Sequence, residues 1–149
     1  MPIIGGVNTP RLHLALAALR SGLYPQSAGC LHRTEPDDSH QPGWCCLGVF
    51  TDIAVKIGGV QLERVTREGM EFFSGEHAFL HPAVADFYGF TATNPMLCFP
   101  DGNSGSASSL NDYGFAASSA GRDDGSCENL TFSEIADAFE YTYITGGGA

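Results

Sequence analysis

Thiols and imidazoles gather early in the chain, where Cys30, His32, His40, Cys45 and Cys46 supply the ligand types that a zinc ion takes. Their spacing argues against such a site. No pair is separated as CxxC, and adjacent Cys45 and Cys46 point to different faces of any helix that carries them. The five cysteines, completed by Cys98 and Cys127, read as reduced thiols. An odd count with two neighbours fits a secreted disulfide framework poorly, and a buried free cysteine packs as a small hydrophobe. No metal is expected.

Nucleophilic catalysis would need a cysteine or serine beside a histidine and an orienting carboxylate. The residue types are present, but neither a GxSxG elbow nor a family-specific cysteine signature occurs. His32-Arg33-Thr34 matches one half of the paired HxT pattern of two-histidine phosphoesterases. The second half is missing, because His13, His40, His77 and His81 lack Ser or Thr two residues on. Asp101-Gly-Asn103-Ser-Gly105 begins like a calcium loop, with Asp112 near the closing position, but it lacks the glycine at the sixth place and the bidentate glutamate. Walker A and GxGxxG sequences are absent. Neither a cofactor nor turnover is expected.

Binding without turnover is better supplied. Arg20, Gln26, Asn111 and Asp112 are polar residues beside expected helix ends or turns, and Tyr24 and Trp44 lie in the same regions. Arginine pairs phosphate bidentately, an aromatic ring stacks on a base, and asparagine reads a base edge. Together the six would form a pocket for a small polar ligand such as a nucleotide. Asn111-Asp-Tyr-Gly114 also reads as a plain structured turn.

The elements that must position these groups are mostly helical. Thr9 and Pro10 open a first helix to Arg20, with Leu12, Ala15, Leu16 and Leu19 on one stripe and Gly22 as the stop. A second runs from Cys45 to Ile57 and is apolar on both faces, which makes it the central helix. Pro82 opens a short third that Gly89 closes. Thr131-Phe-Ser-Glu134 is a capping box, with Leu130 and Ile135 as its hydrophobic staple, and starts a fourth helix to Tyr143. Val60–Val65 and Met70–Phe73, separated by Thr66-Arg-Glu-Gly69, predict one β-hairpin. Residues 27–43 and 101–126 read as loops, the second long, polar and either flexible or functional; residues 144–149 read as a frayed tail. The fold class is therefore α+β: one domain over residues 1–149, mostly helical with about four helices, one hairpin and a long polar loop.

The chain has 149 residues, 43% of them hydrophobic, with ten Phe and five Tyr. That is enough apolar material for one core and too much for a disordered chain. Seventeen acidic residues against seven Lys and Arg give a formal charge of −10. Such a balance repels nucleic-acid polymers and anionic membranes. No apolar run approaches the roughly 18 residues of a membrane span, and Arg11, His13 and Arg20 interrupt any signal-peptide pattern. A cytoplasmic location is expected.

Ordered blocks carry a resemblance. Arg20-Ser-Gly-Leu-Tyr24-Pro-Gln26, Cys45-Cys-Leu-Gly-Val49 leading to Asp52-Ile-Ala54, Leu110-Asn-Asp-Tyr-Gly114 and Thr131-Phe-Ser-Glu-Ile-Ala-Asp137 occur in that sequence. The chain thereby resembles a family of small accessory proteins of phages and prophages, of unassigned activity. It departs from the pattern after Gly114, where an insertion precedes the capping box. The resemblance implies a host-directed role in the host cytoplasm, including counter-defence by sequestering a nucleotide immune signal. The competing expectation is a protein-binding module that inhibits a host protein or serves as a minor virion component, through exposed Phe72, Phe73, Phe79 and Phe99. Assembly into a homo-oligomer is compatible with either.

Overall fold

The computed structural model describes residues 6–112 and 130–145. It is an α+β domain in which helices surround one continuous apolar core, with two small antiparallel sheets at the side. Helix α1 (Thr9–Arg20) buries Leu12, Ala15, Leu16 and Leu19, the stripe expected from their spacing. Its cap is Asn8 rather than Thr9, because the Asn8 carboxamide oxygen accepts the Arg11 N–H at 3.1 Å. Short strands β1 (His32–Arg33) and β2 (Gly43–Trp44) then pair antiparallel, within residues expected to be loop.

Helix α2 (Cys46–Lys56) is the central element, buried nearly all round and capped by Cys45, whose Sγ accepts the Gly48 N–H at 3.3 Å. A Cβ at Gly48 would fall 1.8 Å from the Leu31 carbonyl oxygen, so only glycine lets α2 lie this close to β1. The predicted hairpin is β3 (Arg64–Arg67) and β4 (Met70–Phe73), but its first strand begins later than the expected Val60 and takes in Thr66 and Arg67 of the expected turn. Its two-residue turn, Glu68-Gly69, has positive φ at both positions (55° and 77°), the geometry whose twist matches the strands. The sheet order is β2-β1-β4-β3, so β1 sits inside it, pairing Arg33 with Met70.

Helix α3 (Pro82–Tyr88) ends at Gly89, which is left-handed with φ 82°. Strands β5 (Met96–Cys98) and β6 (Ser104–Ser106) form the second sheet, and helix α4 (Ala107–Asp112) follows directly. These two elements correct the expected loop over residues 104–112; residues 113–126 lie outside the described residues, as does Cys127. Among the described residues there are thus five helices rather than about four. Helix α5 (Phe132–Tyr143) has both bonds of the capping box, with Leu130 and Ile135 fully buried. Ile144 of the expected tail continues the last turn through Glu140 and packs on the core.

At the centre, Phe50 of α2 meets Phe139 of α5 at 4.7 Å and Tyr88 of α3 at 5.0 Å between ring centroids. The Tyr88 hydroxyl donates to the Phe50 carbonyl at 2.5 Å, which satisfies the only polar atom of that buried side chain. Among the described residues, no helix is long and apolar enough to cross a membrane.

Candidate functional site

Trp44, the single tryptophan of the chain, forms a wall shared by two clefts. Strand β2 presents it, and the β1–β2 register sets it opposite His32. The two rings stack with centroids 3.6 Å apart and planes 5° apart. Tyr24 meets Trp44 edge to face at 5.4 Å.

The larger cleft, about 550 Å³, is lined by Ala17, Ala18, Leu23, Tyr24, Trp44 and Lys56, among others. Beneath it lies Asp52 of α2, 2% exposed and therefore in need of partners. It has three. The Tyr24 hydroxyl donates to Oδ2 at 2.5 Å, Lys56 Nζ reaches Oδ2 at 2.9 Å, and Arg64 approaches Oδ1 at 3.5 Å. Lys56 also donates to the Tyr24 hydroxyl at 3.2 Å. Burial, reinforced by the hydrogen bond to Asp52, pushes the Tyr24 phenol above its ordinary value. The bonds to Asp52 and Tyr24 likewise hold Lys56 as an ammonium, above its usual range.

The network continues across the sheet. Arg64 grips Glu71 with two bonds, Nε to Oε2 at 2.7 Å and an Nη to Oε1 at 3.0 Å, and His32 Nδ1 lies 2.8 Å from the same Oε1. Burial pushes Glu71 up, but the bonds from Arg64 and His32 outweigh it and hold the carboxyl below the usual glutamate range. A continuous chain therefore links His32, Glu71, Arg64, Asp52, Lys56 and Tyr24. The smaller cleft, about 320 Å³, opens on the His32 side of Trp44 and is lined also by Pro25, Thr34 and Pro42.

The six residues singled out from sequence do not share one pocket. Tyr24 and Trp44 meet in the larger cleft. Arg20 lies elsewhere, bridging α1 to α5 through Asp137 at 2.7 Å and Glu140 at 2.9 Å. Gln26 and Asn111 are joined, but as a structural tie: Asn111 is fully buried, and its Oδ1 accepts from Gln26 Nε2 at 3.0 Å and from the Cys46 N–H at 3.2 Å. Its Nδ2 donates to the Ser27 carbonyl at 2.8 Å and to Asp112 at 2.9 Å. Asp112 lines a third cleft of about 330 Å³, next to Cys30 and Cys45. Those thiols are buried, and burial pushes Cys45 up to about 12 and Cys30 above its ordinary value, so both stay protonated and unreactive. Among the described residues, no three of His, Cys, Asp or Glu are placed to hold a metal ion.

The sequence reading passed over Asp52, Lys56, Arg64 and Glu71, and it noted His32 for a different pattern. One signal was available: an aspartate in the middle of an otherwise apolar helix, with a lysine one turn on, marks a charge that must be paired. The expected aromatic docking patch is also corrected. Phe73 and Phe99 are buried, Phe72 lies under the Arg67 guanidinium, and Phe79 is the exposed one.

The fold and the site thus define a small α+β domain with a tryptophan-walled polar network between two clefts. The chain belongs to a family described as a domain of unknown function (DUF8296), whose model matches residues 13–143. No curated protein and no solved structure matches it.

Proposed function

We propose that this protein binds and sequesters a small polar ligand with a planar ring, a nucleotide immune signal of a bacterial host being the leading class, and releases it unchanged. The carrying observation is the larger cleft, where Tyr24 and Trp44 meet edge to face above a lysine anchored on a buried aspartate. The aromatic pair and Ala17, Ala18 and Leu23 suit a flat ring. Lys56 has three N–H donors, of which, among the described residues, Asp52 and the Tyr24 hydroxyl take two, leaving one for a ligand phosphate or carbonyl. This local cation answers the objection that a net charge of −10 repels anions.

The state of the groups at hand supports binding without turnover. Asp52 is occupied by three donors, and Lys56 is held protonated, so neither serves as base or nucleophile. The phage or prophage origin and the host cytoplasm as place of action rest on the ordered sequence blocks, and belong to the same proposal. So does the alternative, a module that occludes a host or virion protein; Leu23, 81% exposed at the cleft mouth, and Phe79 would be its contacts.

The test is calorimetry with a panel of cyclic and ADP-ribose-type nucleotides, followed by chromatography of the recovered ligand. Binding that Lys56→Met and Tyr24→Ala weaken at least tenfold, with the ligand returned intact, is the expected result. A converted ligand would replace sequestration by catalysis. No binding across the panel, together with a host protein retained on the immobilised chain, would favour the occluding module.

A further inference from the structure

We infer that the smaller cleft is a second binding site, for a neutral sugar-type polyol, built by His32 and Thr34 on the other side of Trp44. This does not rest on the reading of the larger cleft. Four contacts fix an imidazole that is only partly covered: Glu71 holds Nδ1, Arg64 holds Glu71 with two bonds, Trp44 lies flat against the ring, and β1 is paired on both edges. Core packing does not call for such control of a histidine whose side chain is still 23% exposed. Nε2 has no hydrogen-bond partner among the described residues, and His32 lines the cleft.

Thr34 is the independent observation. It lines the same cleft, and its Oγ1 is fully buried with no hydrogen-bond partner among the described residues. An orphaned buried hydroxyl is uncommon and calls for an explanation, an incoming ligand being one. The chemistry then selects the class. Nε2 accepts a hydrogen bond when the ring is neutral and donates one when it is protonated, and the threonine hydroxyl does both. A ligand hydroxyl matches every one of these states and also accepts from Arg33, whose charge is already met by Asp37 at 3.0 Å, whereas a carboxylate or phosphate matches only a donor. The remaining wall is Pro25, Pro42 and Trp44, apolar rings suited to the C–H face of a sugar, with Gly43 and Arg33, whose buried Nε is likewise without a hydrogen-bond partner among the described residues and adds one donor. Vicinal hydroxyls on such a ring would reach Nε2 and Oγ1 together.

Because Trp44 is the single tryptophan and borders the cleft, its fluorescence reports binding directly. Titrations with D-ribose, D-glucose and inorganic phosphate, with histidine imidazole NMR signals recorded in parallel, test the proposal. A sugar should shift the tryptophan emission and one imidazole, and phosphate should not. Thr34→Val, which removes only the orphaned hydroxyl, should fold normally and bind the sugar about tenfold more weakly, the equivalent of one lost hydrogen bond. His32→Phe, which keeps a ring on Trp44, should do the same. No response to either sugar, unaltered affinity in Thr34→Val, or preference for phosphate would each overturn it.

Discussion

Asn111 shows what a single polar side chain does when it is fully buried. One carboxamide closes the gap between the segment at Gln26 and Ser27, the first N–H of α2 and the end of α4. Removing it strands at least one donor and one acceptor away from water, so Asn111→Ala should lower stability by about 3 kcal/mol in urea unfolding. A ligand site at Asn111 would instead show little stability loss. Glu71 gives a second prediction, in pH. Its folded-state pKa lies below the unfolded one, so it contributes stability that is present above the ordinary glutamate pKa and lost as pH falls through the depressed value. Glu71→Gln should flatten that part of the stability–pH curve while leaving the slope nearer neutrality in place. The sequence made Tyr24 and Trp44 legible as neighbours in a cleft wall because large amphipathic rings near turns have few other uses. It could not show the His32–Glu71 contact, since 39 residues separate the two and only the β1–β4 register brings them together.

Elements with their own start and stop signals were the legible ones. Helix α5 matches its reading at both ends, because a capping box and a helical apolar stripe are local features. Thr131→Ala should cost about 1 kcal/mol through the lost cap. Phe139→Ala should cost about 3–5 kcal/mol, since Phe139 is fully buried against Phe50. Equal melting temperatures for parent and Phe139→Ala would contradict the packing described. The β3–β4 hairpin was legible through the break at residues 66–69, although Thr66 and Arg67 belong to the strand and the turn is Glu68-Gly69 alone. Strands β1, β2, β5 and β6 were not: each has two or three residues, too few for alternation to register, and their existence depends on partners that the chain reaches only after folding. Helix α4 was hidden for a related reason, as serine, asparagine and aspartate favour caps and turns over helix interiors.

Across the whole molecule, seventeen acidic side chains against seven basic ones leave a surplus that repels itself. Moderate salt screens this repulsion over about 10 Å at 0.1 M. The melting temperature should therefore rise between low salt and physiological ionic strength, and a fall would mean that the Arg64–Glu71–Asp52 network dominates. The few cations are not spread evenly. Two of them, Arg64 and Arg67, stand at the ends of β3, whose four residues are all exposed and which forms the outer strand of the sheet. At the opposite side, β2 is shielded by a bridge between Gln26 and Trp44. A bare strand edge is a template on which another chain can polymerise. Here a second copy arriving antiparallel would bring its own pair of guanidinium groups against these, so this edge, uncovered among the described residues, carries a built-in barrier to fibril growth.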